Sequence, residues 1–334
     1  MLTHTPSSLV DGFGRNIDYL RLSVTDRCDF RCTYCMAEDM TFLPRKEVLS
    51  IEELIRVAKI FVALGVAKIR VTGGEPLVRR GLDQLFKALG DMSGLRERAL
   101  TTNGSQLRQR AQALRDYGIN SVNISLDTLN PSKFRALTRT GDVAKVLAGI
   151  DAAIAAGFER IRLNAVILRG QNDDDILPLT NFAVDRGIDI AFIEEMPLGQ
   201  VNAAGKPLEF LGSSEVLALV ENRYSVHPVA SEAQAGPARY WHLGNTKTRL
   251  GLISPHSNNF CSSCNRLRVT AEGRLLLCLG NEHSVSLREG LRRGDSDEDI
   301  ADQIRHALGR KPERHVFDQP DEPQILRFMN ASGG

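Results

Sequence analysis

Short apolar and β-branched runs recur along the first 195 residues, at about 20–24, 68–72, 99–102, 121–126, 160–167 and 188–193, and longer stretches of helical spacing separate them. A strand alternates its faces, whereas a helix returns to the same face every three to four residues. The pattern therefore predicts repeated βα units around a parallel sheet. The clearest helix begins at Ser50, where Glu53 completes a capping box, carries Leu54, Val57, Ala58, Phe61 and Leu64 on one face, and stops at Gly65. Further helices are expected at 143–156, before Gly157, and at about 174–186, before Gly187. Six successive right-handed units curl toward a barrel, but closing an eight-unit barrel takes about 250 residues. The expected class is α/β: a partial, open (β/α)6 TIM-like barrel, with a flat doubly wound sheet as the alternative. In both, the reactive face lies at the carboxyl ends of the strands.

The barrel is expected to occupy 1–198. Gly, Pro and Asn break the periodicity at 199–212, which reads as a linker or loop. A smaller α+β region follows at 213–309, with a helix near 214–222, short strands, and helices near Leu287 and Ile300. A polar tail, 310–334, ends in Gly333-Gly334, which composition alone reads as a frayed end.

Charge narrows the function classes. Forty-two Lys and Arg against 41 Asp and Glu leave +1, so no global field favours nucleic acid or a membrane, and any anion site must be local. With no apolar run of about 18 residues and no signal-peptide blocks before Gly14, the chain is expected in the cytoplasm. Its six cysteines fall into two groups of three. Disulfides pair and triads do not, so in a reducing compartment these thiols read as metal ligands.

The first triad, Cys28-Asp-Phe-Arg-Cys32-Thr-Tyr-Cys35, follows the first expected strand. Three thiolates on a 4Fe-4S cluster leave one iron open to an outside ligand. Structural zinc usually takes its four ligands as two separated pairs. After the second strand comes Thr72-Gly73-Gly74-Glu75-Pro76, where paired glycines allow close backbone approach and Glu75 could accept from a ligand amine; an ordinary turn is the plainer reading. Thr101-Thr102-Asn103-Gly104 and Ser125-Leu126-Asp127 end the next two strands, where barrels display ligand-binding side chains. The second triad is Cys261-Ser-Ser-Cys264 and, thirteen residues on, Cys278. His256 or His283 would complete a zinc site; a second cluster with an open iron is the other reading. Between these cysteines, Arg266 and Arg268 share one face of an expected strand, suited to an anion or a purine, or to solvent.

The Cys-x3-Cys-x2-Cys loop, with Tyr34 before its last cysteine, resembles that of the radical S-adenosylmethionine (SAM) superfamily, and 73–76 resembles its GGEP motif. With both triads, the run Tyr19 to Arg27, Phe192 to Met196 and the final Gly-Gly, almost the whole chain is similar to the GTP 3′,8-cyclase family, which opens molybdenum cofactor biosynthesis. The resemblance implies two 4Fe-4S clusters, one on Cys28, Cys32 and Cys35, whose open iron chelates SAM for cleavage to a 5′-deoxyadenosyl radical. The other, on Cys261, Cys264 and Cys278, meets the guanine ring. It implies SAM contacts at Tyr34, Gly73, Gly74, Glu75, Ser125 and Met196, and GTP contacts at Arg21, Arg70, Thr101, Arg162, Arg266, Leu267 and Arg268. It casts Gly333 and Gly334 as a tail entering the active site. Implied partners are a reduced electron donor and a downstream cyclic pyranopterin monophosphate synthase, with a homodimer left open. Two positions depart from the family: Arg162 stands where Lys is frequent, and Ala191 where some members carry Arg. A peptide-modifying radical SAM enzyme with an auxiliary cluster, or a nucleotide-binding iron–sulfur or zinc module without catalysis, are the competing classes.

Overall fold

The structure, a computed structural model, describes residues 8–198, 210–230, 236–315, 317, 325 and 327–333. Of the expected linker, 199–209 lies outside the described residues.

The first half alternates as the pattern predicts. Strands β1 (Tyr19–Ser23), β2 (Lys68–Thr72), β3 (Glu97–Thr102), β4 (Ser121–Ser125), β5 (Arg160–Ile167) and β6 (Asp189–Glu194) are separated by α1 (Ile51–Ala63), α2 (Leu82–Gly90), α3 (Leu107–Asp116), α4 (Pro131–Thr138), α5 (Val143–Ala155) and α6 (Ile176–Arg186). In α1 the capping box forms: Glu53 N donates to Ser50 Oγ at 3.1 Å and Ser50 N to Glu53 Oε2 at 2.6 Å. Its apolar face, led by fully buried Phe61, packs into the core; truncating such a side chain to Ala costs about 3–5 kcal/mol.

The remaining elements are α7 (Ser213–Glu221), β7 (Val226–Pro228), β8 (Arg239–Leu243), β9 (Arg249–Ile253), β10 (Arg266–Val269), β11 (Arg274–Leu276), β12 (Ser284–Ser286), α8 (Leu287–Arg293), α9 (Asp297–Leu308) and α10 (Met329–Ser332). Their strands do not stand apart. All twelve form one sheet in the order β12-β11-β10-β1-β2-β3-β4-β5-β6-β9-β8-β7. The later region extends both edges of the barrel: β10 runs parallel to β1 with Arg268 opposite Arg21, and β9 runs parallel to β6 with Gly251 opposite Ala191. The result is an open partial barrel, and no helix among the described residues is long and apolar enough to cross a membrane.

The inner face explains why a cavity exists. Outward positions such as Leu20, Leu22, Ile69, Val71, Val122 and Ile124 are fully buried under helices. The alternate positions Arg21, Arg70, Thr101, Asn123, Ser125, Arg162 and Asn164 line a hollow. A closed barrel fills that space with Val, Ile and Leu; polar side chains here keep it open to a ligand.

Candidate active site

The loop carrying Cys28, Cys32 and Cys35 is fixed by backbone pairing to the end of α4, with Arg31 N donating to Thr138 O and Thr33 N to Leu137 O, each at 2.9 Å. The loop after β2 lies directly against it. A Cβ on Gly74 would come within 2.4 Å of Arg27 O, so only glycine allows the contact. Glu75 is turned away from the cavity: its carboxylate accepts from Leu77 N at 2.9 Å, Thr102 Oγ1 at 2.8 Å and Asn103 N at 2.6 Å, tying β2 to β3. Asn103 in turn donates to Asp29 Oδ1 at 2.6 Å and stands 3.8 Å from Cys28 Sγ. Tyr34 Oη donates to Asp127 Oδ2 at 2.7 Å, and Val166 N donates to the other oxygen at 2.9 Å. Burial holds five acids at this end up: Cys28 and Cys32 well above the ordinary thiol range, Cys35 at about 12, Glu75 at about 7 and Asp127 at about 6.

The second triad sits on the sheet edge. Cys261 starts a short turn anchored by Arg15 Nη1, which donates to its carbonyl at 2.8 Å, and Cys264 leads into β10. The β10–β11 hairpin then returns the chain to Cys278. Cations dominate here. Burial raises the Cys264 thiol, but Arg266 and Lys311 outweigh it and bring it down to about 6. Lys311 Nζ donates to Arg266 O at 3.1 Å and also to Leu277 O, a role no sequence signal announced. Burial, with Arg21 and Arg266 nearby, lowers Arg268 to about 9. Among the described residues the buried Nε atoms of Arg266 and Arg268, and Thr101 Oγ1, have no hydrogen-bond partner, an arrangement that costs free energy unless a ligand satisfies it.

Neither histidine considered for a zinc site serves one. His256 Nε2 meets Glu195 O at 2.8 Å with its ring stacked on Phe210, and His283 is exposed and off the cavity wall. Among the described residues no three His, Cys, Asp or Glu converge tightly enough to hold one metal ion. All six cysteines are free thiols. Three thiols spread over one wall, rather than four closed on a point at about 2.3 Å, suit a bulkier cluster better than zinc.

All six cysteines line one cavity of about 790 Å³, within the range of small-molecule sites. Of the residues expected to touch SAM, Tyr34, Gly73, Gly74, Ser125 and Met196 are on its wall; of those expected to touch GTP, Arg21, Arg70, Thr101, Arg162, Arg266 and Arg268 are. Leu267 faces outward and is buried, and Glu75 is off the wall. Gly333 O accepts from Arg21 Nε at 3.2 Å and Nη2 at 3.1 Å. At φ +75°, with Thr72 Cγ2 only 3.0 Å from where a Cβ would be, Gly333 has little room for a side chain. Gly334 lies outside the described residues. The wall also holds Tyr19, Lys68, Asn123, Asn164 and Tyr240, inward positions that strand alternation could have flagged once the register was known.

Residues 22–183 match the Radical SAM superfamily, and residues 188–317 match Molybdenum Cofactor Synthesis C. A protein of Pseudomonas entomophila named GTP 3′,8-cyclase is 58% identical over 98% of this chain and 99% of its own length. GTP 3′,8-cyclase 1 of Pseudomonas aeruginosa is 59% identical over 97% of this chain and 99% of its own. Among solved structures, Streptococcus suis SuiB bound to precursor peptide SuiA shares the fold with TM-score 0.61 at 16% identity, covering 94% of this chain and 76% of that one. A sheet that brings two thiol triads to one cavity, and full-length identity of this order, establish that the chain belongs to the GTP 3′,8-cyclase family of the radical SAM superfamily.

Proposed function

We propose that the chain converts GTP to (8S)-3′,8-cyclo-7,8-dihydroguanosine 5′-triphosphate, the first step of molybdenum cofactor biosynthesis. The observation that carries this reading is the single cavity walled by both triads, because a radical source and its target must share one enclosed chamber. A cluster held by Cys28, Cys32 and Cys35 would bind SAM and, given one electron, supply a 5′-deoxyadenosyl radical able to take hydrogen from ribose carbon 3′; closing the bond from that carbon to carbon 8 of guanine would then take one further electron and a proton.

The chain's own residues bind, orient and exclude. We assign Arg21, Arg70 and Arg162 to the triphosphate, with Arg266, Arg268 and Thr101 nearer the guanosine; guanidinium forks match phosphate oxygens in pairs. Tyr34, Gly73, Gly74, Ser125 and Met196 are assigned to SAM, with Glu75 and Leu267 shaping the wall from behind it. Gly333 closes the chamber beside Arg21, keeping water from the radical. Held in contact, the reacting atoms need no further search. In this reading 1–198 carries SAM and 213–309 the second cluster, a reduced donor supplies electrons, and the product passes in the cytoplasm to a cyclic pyranopterin monophosphate synthase.

The test is anaerobic turnover of the reconstituted, reduced protein. Formation of 5′-deoxyadenosine is expected to depend on GTP and to match the cyclised nucleotide one for one. Stimulation by an oligopeptide but not by GTP would end the proposal.

A further inference from the structure

The arginines assigned to the triphosphate are not held by carboxylates alone. Tyr19, at the start of β1 and 3% exposed, accepts at Oη from Arg70 Nε at 2.8 Å and from Arg21 Nη1 at 3.5 Å. Lys68 Nζ lies over its ring at 4.6 Å. On the other side, Tyr240 on β8 accepts at Oη from Arg162 Nη1, while Arg162 Nε donates to Asn164 Oδ1 at 3.0 Å. The Tyr240 ring is fixed in its turn. Arg249, paired to Asp189, lies 5.0 Å from its centroid, and a Cβ on Gly251 would stand 3.1 Å from both Tyr240 Cε1 and Ala191 Cβ. A small floor of Ala191 and Gly251 thus admits the ring at the place where some family members carry Arg.

We infer that Tyr19 and Tyr240 are positioning residues for the nucleotide, their phenol oxygens holding Arg21, Arg70 and Arg162 as a preformed receiver for phosphate. This deepens the GTP reading above and rests on it. A guanidinium carries five donors, so a phenol can fix its orientation while others remain for an anion; Arg70 also donates to Leu100 O at 3.1 Å and Glu97 Oε1 at 3.4 Å, and Arg21 to Gly333 O, contacts an incoming phosphate shares or displaces. Preformed geometry spares the entropy of ordering long side chains on binding. In this chain the receiver draws on Arg162, pulled into line by a tyrosine of the late sheet edge, rather than on a charge at 191.

Tyr19 adds a measurable signature. Arg21 on its own strand, Lys68 and Arg70 on β2, Glu97 on β3 and Arg266 opposite on β10 surround it. Burial raises the phenol, but Arg70, Arg21 and Lys68 outweigh it and bring it to about 6. A triphosphate that takes up those cations returns Tyr19 toward its ordinary range, so binding near neutral pH takes up a proton.

The experiment compares GTP and GMP on reconstituted wild type, Tyr19→Phe and Tyr240→Phe. Each variant is expected to raise KM for GTP about tenfold with kcat within about twofold, and to leave GMP affinity unchanged. Proton uptake on GTP binding, read by calorimetry in buffers of different ionisation enthalpy, should vanish in Tyr19→Phe and persist in Tyr240→Phe. Equal weakening of GTP and GMP, or unchanged GTP affinity in both variants, overturns the inference. Failure of wild type to bind GTP would instead overturn the function on which it rests.

Discussion

The two ends of the cavity offer the same donors, three thiols each, in opposite electrostatic surroundings. Around Cys28, Cys32 and Cys35 the neighbours are Asp29, Glu75 and Asp127, and burial leaves Glu75 and Asp127 at about 7 and about 6. Around Cys261, Cys264 and Cys278 they are Arg15, Arg266, Arg268 and Lys311, and there Arg268 is driven down to about 9. Burial pushes groups at each end toward the neutral form, because desolvation disfavours a charge. A ligand of opposite sign offsets that penalty. In the proposed reading SAM, with its sulfonium and amine, lies at the acidic end and the guanosine of GTP at the basic one, with the triphosphate on Arg21, Arg70 and Arg162.

The largest effect should come from removing one thiol at either end. Cys28→Ala is expected to abolish SAM cleavage altogether. Cys278→Ala should keep about half the iron and a slow, GTP-independent cleavage while cyclisation falls below detection. Iron content with product analysis reads both; normal cyclisation by Cys278→Ala would show that the basic end needs no cluster and would dissolve the comparison.

That asymmetry was only partly legible in the chain. The acidic end is built from sequence-local features: a loop directly after β1, a Gly-Gly turn directly after β2, and strands whose β-branched runs and flanking helices announce them. Its strand positions were readable to within about two residues. The basic end depends on β10, β11 and β12, which are four, three and three residues long; alternation shows at β10 but not at the two shorter strands. Their placement on the outer edge beside β1, like that of β9, β8 and β7 on the edge beside β6, is a long-range pairing that no local pattern encodes. Hence Arg266 and Arg268 could be put on one face, but not opposite Tyr19 and Arg21 in parallel register. Lys311 and Tyr240 were invisible for the same reason. Glu75 shows the opposite limit: its motif was legible, but not that Leu77, Thr102 and Asn103 would consume its oxygens.

A smaller effect separates the ends by pH. Burial raises folded Glu75 to about 7, above its ordinary 4.5. The folded state therefore binds more protons between those values, and the contribution is fully present below about 4.5 and lost as pH rises through about 7. Its size is on the order of 3 kcal/mol. Glu75→Gln leaves one of the three donors facing an amide N–H and lowers stability outright, so the informative quantity is slope. Denaturant midpoints from pH 5 to 8 should fall more steeply for wild type than for Glu75→Gln, whereas Arg268→Gln should run parallel to wild type, since its titration lies higher. Equal slopes for wild type and Glu75→Gln would show that the carboxylate is already ionised and paired.

The smallest effect tests how the acidic end is held. Arg139 follows α4 at φ 59° and ψ −39°, outside the regions comfortable for a residue with a Cβ. It is held there by weak ties: Nη1 donates to Arg31 O at 3.3 Å, and Nε lies 3.5 Å from exposed Glu38. Such conformations cost about 1–3 kcal/mol and persist only when their surroundings demand them. The demand here is the backbone pairing of Arg31 and Thr33 with the end of α4, which fixes the first thiol loop. Arg139→Ala keeps the strain and loses the ties; Arg139→Gly loses the ties and the strain, at a backbone entropy cost of about 0.5–1 kcal/mol. Thermal unfolding should therefore rank Gly above Ala by about 1 kcal/mol, with iron content the same in both. If Ala proves as stable as Gly, the corner is unstrained, and the loop owes its position to the Arg31 and Thr33 pairing alone.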